Sequence, residues 1–387
     1  MGILIKDMLS GQGMVVELVN KSRLVDEFIQ LVKIDSLSCK ERKMCDTLKA
    51  KLESLGYIPA EDDAGQKVGG ECGNILCTIK GSKNVPAVLL TAHMDTVVPG
   101  VGKKPVIDGD IIKSDGTTVL GGDDAAGIAV ILETLKVLKE KDIEHGDIQI
   151  AFTIAEEVGL LGAKNMDYSK INAKYGFILD SDGKVGCACV KAPSQNKISI
   201  IVKGKAAHAG MEPENGISAF SIMADAISTM KLGRIDEETT ANIGMINGGV
   251  ATNIVCDRVE IEGEVRSRNQ NKLEAQTRHM QECFEKAAAK WGGQVEFISK
   301  MEYPAFNIQK DSDIVKILEA AASKSGFEFQ AVATGGGSDT NIFNSKGIEA
   351  VDLSIGMEKV HSVNEQISVT DMVNAVEFLI AIIENIK

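Results

Sequence analysis

The chain has 387 residues, of which 44% are hydrophobic and 25% are charged, and its net charge is −13 at pH 7. This length and composition are typical of a globular protein with two or three domains. The negative balance, without a basic block, argues against nucleic acid and anionic membranes as partners. Eight cysteines without a C-x-x-C pair predict reduced thiols in a cytoplasmic protein rather than a disulfide framework.

The N-terminal part of the chain predicts an α/β fold. Residues 1–13 are interpreted as an appended segment, because a second Met follows at position 14. Apolar residues then recur at helical spacing over residues 22–56. Four apolar runs without clean alternation follow, as expected of strands buried on both faces: NILCTIKG, AVLLTAH, DIQIAFTIAEE and GFILDSDG. With the helical pattern AAGIAVILETLKVLKE between the second and third runs, they predict a mixed, mostly parallel sheet flanked by helices.

The middle of the chain shows a different order of predicted strands and helices. Residues 193–302 show the order strand, helix, strand, strand, helix, strand, which is that of a ferredoxin-like α+β unit. After Pro304, helices and apolar strands resume, with a helix predicted at 311–324. The sequence therefore predicts one domain formed by residues 14–192 and 303–387, interrupted by an inserted domain.

Acidic residues and histidines border the apolar runs. They are His93 and Asp95, Asp123 and Asp124, Glu156 and Glu157, Asp180 and Asp182, and His361. In α/β sheets, functional groups gather at the carboxyl ends of the strands. One such residue is explained by a helix cap or a turn, but several together predict a shared site.

Two divalent cations would remove the repulsion among these carboxylates, whose burial without compensation is costly. The charge of two cations is balanced by three carboxylates and a bridging hydroxide, and two neutral imidazoles complete the ligand sets. One carboxylate must then be shared between the cations. One acid of the Glu pair is then not needed as a metal ligand. It would lie beside the metal-bound water, where a general base is expected.

Motifs along the chain resemble those of a known family: TAHMDTV, LGGDDAAG, AEEVGLLGAK, LDSDG, GKAAHAG, GGGSD and the late His361. The family is that of the dinuclear zinc exopeptidases, which include peptidase T, carboxypeptidase G and succinyl-diaminopimelate desuccinylase. The resemblance to peptidase T is the strongest, and it covers the chain from about residue 20, including the inserted lid domain. It implies metal-dependent hydrolysis of peptide or amide bonds.

The resemblance implies a role for each metal ligand. His93 and Asp180 would hold one cation, Glu157 and His361 the other, and Asp123 would bridge them. The two cations would be zinc, although His and carboxylate ligands also suit cobalt or manganese.

Further roles follow from the same resemblance. Asp95 would accept the second ring N–H of His93, and Glu156 would act as the general base. The peptide bond between Asp123 and Asp124 is expected to be cis. Many relatives have Lys where this chain has Ala125, which leaves open how the neighbouring acid is neutralised.

The substrate site is less strongly indicated. By resemblance, His208 would donate to the oxyanion of the partner's substrate, although on sequence alone it is an exposed loop histidine. Asn253 and Arg266 match substrate-binding positions, and a surface ion pair is an equal alternative for Arg266. The loop with Gly336, Gly337, Ser338 and Asp339 would line the cleft, with a flexible turn as the alternative. It lacks the Lys-Ser/Thr of a phosphate-binding loop.

We therefore expect a peptidase acting on short peptides, an aminopeptidase for tripeptides by analogy with peptidase T. The alternative is an amidohydrolase, deacylase or carboxypeptidase-type relative acting on N-acyl amino acids, because the same metals serve these reactions. A non-catalytic peptide-binding descendant is disfavoured by the presence of Glu156. A homodimer formed through the inserted domain is implied by the resemblance.

Overall fold

The computed structural model describes residues 18–387, so the predicted appended segment, residues 1–13, lies outside the described residues. The helices are α1 (Lys21–Val32), α2 (Arg42–Ser54), α3 (Ala64–Val68), α4 (Gly122–Glu140), α5 (Leu161–Asn165), α6 (Ala219–Thr229), α7 (Gln270–Trp291), α8 (Asp313–Ser325), α9 (Asp339–Ser345) and α10 (Val369–Glu384). The helical stretch predicted at 22–56 is thus divided into α1 and α2, and the helix predicted at 311–324 corresponds to α8.

The strands are β1 (Ala60–Glu61), β2 (Ile75–Ile79), β3 (Val88–His93), β4 (Val106–Asp108), β5 (Ile111–Lys113), β6 (Ile148–Thr153), β7 (Tyr175–Ser181), β8 (Cys187–Ala192), β9 (Ser194–Lys203), β10 (Gly233–Arg234), β11 (Thr239–Gly248), β12 (Arg258–Ser267), β13 (Gln294–Tyr303), β14 (Phe306–Asn307), β15 (Gln330–Ala333), β16 (Glu349–Ser354), β17 (Met357–Glu358) and β18 (Gln366–Ser368). The four apolar runs of the N-terminal part form β2, β3, β6 and β7.

The main sheet is parallel at its centre. Its strands lie in the order β1-β2-β6-β3-β7-β16-β8-β14, and β15 pairs with β8. β3 is parallel to β6 and to β7, and β16 is parallel to β7. Antiparallel pairs complete both sides of the sheet. The predicted mixed α/β sheet flanked by helices is confirmed.

Helices cover both faces of this sheet, which explains why its central strands show no alternation. Every residue of β3 is buried. Val88 and Leu90 pack into the large core formed with α1, α4, α8 and α10, while Leu89 packs into the core of the opposite face with Ile342 and Phe343 of α9. Since neighbouring residues of a strand point to opposite faces, both must be apolar here.

A second sheet forms a separate unit in the region predicted to be inserted. Its strands lie in the order β10-β11-β12-β9-β13, and all its pairs are antiparallel. Helices α6 and α7 pack together, and they share with the sheet a core of their own, which includes Ile198, Ile200 and Phe284. Apart from the two-residue β10, this is the predicted strand and helix order of a ferredoxin-like unit.

A third sheet, in the order β17-β18-β5-β4, is absent from the sequence prediction. Its strands are only two or three residues long, too short for a recognisable pattern. Within residues 18–387, no helix combines the length and hydrophobicity needed to cross a membrane.

Candidate metal centre

Three parallel strands deliver polar residues to one edge of the main sheet. β3 ends at His93, and Asp180 lies near the end of β7. β6 ends at Thr153, which pairs with His93, and the chain continues directly to Glu156 and Glu157. Because the carboxyl ends of parallel strands meet, these residues lie together although they are far apart in sequence.

Two groups of side chains at this edge could each hold a metal ion: His93, Asp123 and Asp180, and Asp123, Glu157 and His361. His93 Nε2 lies 2.9 Å from Asp123 Oδ1 and 3.5 Å from Asp180 Oδ1. His361 Nε2 lies 3.1 Å from Asp123 Oδ2 and 3.0 Å from Glu157 Oε1. The two oxygens of Asp123 therefore face different groups, which is the geometry that a bridging ligand requires.

The distances within each group fit a shared cation. Ligand atoms bound tetrahedrally at about 2.0–2.2 Å from zinc are roughly 3.3 Å apart, close to the separations of 2.9 to 3.5 Å found here. Glu157 Oε1 is buried and makes no hydrogen bond, although His361 Nε2 is 3.0 Å away. Their separation is that expected of two ligands of one cation. Nitrogen and oxygen donors of this kind suit zinc, cobalt or manganese.

The acids of the site repel one another. Burial and the charge of Asp123 raise the pKa of Asp180 well above its usual value, and burial and the charge of Asp180 do the same for Glu156. The neighbouring carboxylates of Asp123 and Glu157 raise the pKa of His361 to about 10. Divalent cations placed between these groups would relieve the repulsion.

The backbone at the start of α4 is irregular. Asp123 and Asp124 do not have helical backbone angles, and the peptide bond between them is cis, as the resemblance implies. Asp124 Oδ2 accepts a hydrogen bond from His93 N at 3.2 Å, and its Oδ1 accepts one from Gly127 N at 3.0 Å. Asp124 therefore binds the end of β3 to the start of the helix, while Asp123 faces the two groups.

Asp95 lies beside the Nδ1 atom of His93, as expected, with both its backbone and its side chain. His93 Nδ1 lies 2.9 Å from the backbone oxygen of Asp95 and 3.4 Å from its carboxylate. The carboxylate instead accepts hydrogen bonds from the backbone N–H groups of Glu156 and Glu157, at 3.0 and 3.3 Å, and from Ser38 Oγ at 2.6 Å. The carbonyl is the nearer acceptor because the carboxylate is directed toward the Glu pair.

A cavity of about 490 Å³ lies between the main sheet and the second sheet. Glu156 lines it together with both groups, and residues of the second sheet, among them Arg266 and Tyr303, line its other side. Gly336, Gly337 and Ser338 line the cavity, whereas Asp339 does not and is buried.

The loop with these glycines is fixed by its neighbours. Asn341 Nδ2 donates to the backbone oxygens of Pro193 and Pro304, at 3.0 and 2.8 Å, where the chain enters and leaves the second sheet. A Cβ on Gly337 would lie 2.3 Å from the ring of Tyr303. The loop is therefore packed against its neighbours at Gly337 and Asn341.

Arg266 lies on β12, an interior strand of the second sheet. It lines the cavity, and it also forms a bidentate ion pair with Glu264, with Nε and Nη2 at 2.9 and 3.0 Å from the two carboxylate oxygens. Gln195 Nε2 donates to the same carboxylate at 2.6 Å. The guanidinium is thus held in a fixed orientation at the wall of the cavity.

His208 and Asn253 lie together on the second unit, away from the cavity lining of their own chain. His208 forms a β-bridge with Ile254, and Ala209 N donates to the backbone oxygen of Asn253 at 2.9 Å. The backbone N–H groups of Gly210 and Met211 donate to His208 Nδ1, so that the ring proton lies on Nε2.

Sequence reasoning missed three buried acids around the centre. Asp352 lines the cavity and accepts hydrogen bonds from Asp180 N and Ser338 Oγ. Glu365 and Glu41 accept backbone N–H groups of the segments that carry the candidate ligands. One signal was available for Asp352, which interrupts the apolar run AVDLSIG.

The fold and the site are those of a metallopeptidase, a hydrolase whose candidate ligands lie at the carboxyl ends of a parallel sheet. The family described as Peptidase family M20/M25/M40 matches residues 89–385. Since this match covers well over half of the chain, the protein belongs to that family.

Similar proteins extend over nearly the whole chain. The Bacillus subtilis (strain 168) protein YqjE is 49% identical over 367 residues, which cover 95% of this chain and 99% of YqjE. The crystal structure of aminopeptidase PepT from Bacillus cereus is 47% identical, covers 95% of this chain and 99% of its own, and has a TM-score of 0.87. A tripeptidase structure from Staphylococcus aureus is 42% identical, with 95% and 98% covered and a TM-score of 0.91.

Proposed function

We propose that the protein is a dinuclear metal-dependent aminopeptidase that cleaves tripeptides. The observation that carries this proposal is the division of the Asp123 carboxylate between two ligand groups beside Glu156, in one cavity. Two solved structures that are 47% and 42% identical are described as an aminopeptidase and a tripeptidase, which supports the choice of substrate.

In this proposal His93 and Asp180 would hold one cation, Glu157 and His361 would hold the other, and Asp123 would be a ligand of both. The cations would be zinc, which would supply the Lewis acidity that polarises a carbonyl and makes water nucleophilic at neutral pH. Glu156 takes a proton from the attacking water and passes it to the leaving amine. The position of Glu156 in the cavity wall and its buried, acid-rich surroundings support this role.

Arg266 and the loop of Gly336, Gly337 and Ser338 bind the peptide. Arg266 offers the N–H groups that Glu264 does not use to a peptide carboxylate or carbonyl. The loop presents its backbone to the cavity at glycines, which allows close approach of a ligand.

The active form is a homodimer joined through the second sheet. β10 pairs with only two residues of β11, and no described strand pairs with that side of residues 242–248. Met245 and Ile246 on this edge are 68% and 49% exposed. An edge with exposed apolar side chains can pair with the same edge of a second copy.

In the dimer, His208 and Asn253 act on the substrate of the partner. The protonated Nε2 of His208 is the donor that a developing oxyanion requires. Neither residue lines the cavity of its own chain, which supports a role across the interface. The eight free cysteines support a further proposal, that the protein works in the reducing cytoplasm.

The proposal is tested by elemental analysis and a peptide panel. We expect two metal equivalents per chain, hydrolysis of trialanine, no hydrolysis of N-acetyl-trialanine, and loss of activity with a chelator. Glu156→Gln is expected to retain both metals without turnover. Faster hydrolysis of the acetylated substrate would instead favour the deacylase alternative, and turnover by the Glu156→Gln variant would contradict the assignment of the base.

A further inference from the structure

Three consecutive backbone N–H groups donate to buried carboxylates from other parts of the chain. Ala155 N donates to Glu41 Oε1 at 3.0 Å. Glu156 N and Glu157 N donate to the two oxygens of Asp95, at 3.0 and 3.3 Å. The segment is therefore held by its backbone, which leaves the side chains of Glu156 and Glu157 for the cavity that they line.

Ala155 has a backbone conformation that needs support. Its φ is 48°, in the left-handed region, which is unfavourable for a residue with a Cβ. Its carbonyl oxygen accepts a hydrogen bond from Leu161 N at 3.0 Å, and its N–H is bound by Glu41. The turn between the end of β6 and Glu156 thus depends on the acceptor that Glu41 provides.

Glu41 binds a second strained residue with the same oxygen. Cys39 N donates to Glu41 Oε1 at 2.7 Å, and Cys39 has a φ of 66°. The side chain is fully buried, and its other oxygen, Oε2, makes no hydrogen bond. A buried carboxylate with an unsatisfied oxygen lowers the stability of a fold. We therefore assign Glu41 a local role, which is to hold the turns at Cys39 and Ala155.

We infer that Glu41 is a positioning residue for the general base: through Ala155 it sets the direction in which Glu156 leaves the backbone. This inference rests on the proposed function, in which Glu156 transfers the proton. Glu41 is not among the residues that line the cavity, so it acts through Glu156 and not on the substrate. Ser38 belongs to the same support, since its Oγ donates to Asp95 Oδ2 at 2.6 Å.

The inference predicts an effect on kcat and not on metal binding or KM. Both Glu156 and Glu157 keep their backbone hydrogen bonds to Asp95 when Glu41 is changed, but only Glu156 directly follows Ala155, so a shift of Ala155 acts first on its side chain. The other candidate ligands have separate supports. Because Glu41 does not line the substrate cavity, its replacement leaves the substrate-binding side chains unchanged. Misdirection of Glu156 alone would slow proton transfer, because general-base catalysis depends on hydrogen-bond reach.

The experiment compares four purified variants with the wild type on trialanine. Glu41→Asp withdraws the acceptor by one methylene while keeping the carboxyl group. Glu41→Leu removes the acceptor, and Glu41→Gln retains an oxygen in place. Glu133→Leu is the matched control, because Glu133 is also fully buried but binds Arg23 and Asn20 N on α1 and its cap. We measure kcat, KM, metal content and thermal stability for each.

We expect Glu41→Leu and Glu41→Asp to lower kcat by about tenfold to a hundredfold, the range typical of lost supporting groups. Their metal content should stay at two equivalents and KM should stay within about threefold, since binding groups are intact. Glu41→Gln should recover most of kcat, and Glu133→Leu should lose stability with kcat unchanged. If Glu41→Leu does not fold, the difference in kcat between Glu41→Asp and Glu41→Gln tests the inference.

The inference is overturned if Glu41→Asp has the kcat of the wild type, or if Glu41→Gln loses as much of its kcat as Glu41→Asp. A failure of the proposed function is distinguishable, because then Glu156→Gln itself would remain active, whatever the Glu41 variants do.

Discussion

Glu365 Oε1 accepts a hydrogen bond of 3.0 Å from the backbone N–H of Asp123. Its other oxygen accepts one of 2.8 Å from Gly121 N. Glu365 follows His361 by four residues, so the loop with His361 is bound to the segment with Asp123. The geometry of the second ligand group therefore depends on a buried carboxylate outside both groups.

Replacing Glu365 by Leu should weaken metal binding by about tenfold to a hundredfold, because both backbone donors lose their acceptor and the two loops can separate. Titration of the metal-free protein with zinc in the presence of a competing chelator measures this. Glu358→Gln is the matched control, since Glu358 precedes His361 by three residues but is exposed, and its carboxylate accepts a hydrogen bond from Gln366. Unchanged zinc affinity in the Glu365→Leu variant would show that the loops hold their positions without this contact.

His361→Ala should reduce the metal content from two equivalents to one. The group of His93, Asp123 and Asp180 does not include His361, so it retains all its ligands. Peptide hydrolysis should fall below detection, because the reaction proposed here needs both cations. Elemental analysis after dialysis gives the stoichiometry. A variant that still held two equivalents would contradict the assignment of His361 as a ligand.

Mixing two inactive variants should restore activity if His208 acts across a dimer. Chains with His208→Ala and chains with Glu156→Gln each form inactive homodimers in the proposed mechanism. A mixed dimer has one intact site, formed by Glu156 of the first chain and His208 of the second. After subunit exchange, about a quarter of the wild-type activity should appear, since half of the dimers are mixed.

The same experiment has a control in the second sheet. Met245→Glu combined with Ile246→Lys should prevent both dimerisation and the recovery of activity, whereas Ile298→Lys on β13, at the opposite edge, should permit them. Light scattering after gel filtration gives the oligomeric state. Full activity of the isolated monomer would contradict the role of His208 across the interface.

Gly337→Ala should impair activity far more than Gly335→Ala. A Cβ at position 337 would lie 2.3 Å from the ring of Tyr303, so either the ring or the loop must move, and both line the cavity. At position 335 a Cβ meets nothing within 4 Å. We expect kcat/KM for trialanine to fall by at least about tenfold in the first variant, because small misplacements of binding groups are costly. Equal activity of the two variants would mean that the loop adapts.

The parts of the site that could be predicted from the sequence are polar residues that end an apolar run. His93, Asp180 and the Glu pair end apolar strands, and parallel pairing places strand ends together whatever their separation in sequence. Both the main sheet and the ferredoxin-like order could be predicted for the same reason, since their strands are long enough to show a period.

The supporting acids could not be predicted, because their partners are backbone groups far away in the chain. Glu41 binds the N–H of Ala155 across 114 residues, and Glu365 binds that of Asp123 across 242. A single acid before a helix or in a loop has no period and is usually a solvated residue. The ligand loop with His361 is likewise shaped by short strands that carry too few residues to show alternation.

Glu41 should make stability depend on pH in a way that Glu41→Gln removes. Burial and the charge of Asp95 raise the pKa of Glu41 from 4.5 to about 7 in the folded protein. Because the pKa of Glu41 is raised, its carboxyl group binds more protons in the folded state than in the unfolded state between these two values. The contribution of Glu41 to the free energy of unfolding is therefore greatest below pH 4.5 and is lost as the pH rises through about 7. Gln does not titrate, so the stability of the variant relative to the wild type should increase over this range, by up to about 3 kcal/mol.

Urea unfolding of both proteins at pH 5 and pH 8, with the metals removed, measures this difference. Other acids of the site titrate in the same range, but they are present in both proteins and cancel in the comparison. Glu41→Leu provides the control: it also lacks a titrating group, so the difference between the Leu and Gln variants should not change with pH. A wild-type-to-Gln difference that stays constant from pH 5 to pH 8 would show that Glu41 is ionised throughout, and that the hydrogen bonds from Cys39 and Ala155 outweigh its burial.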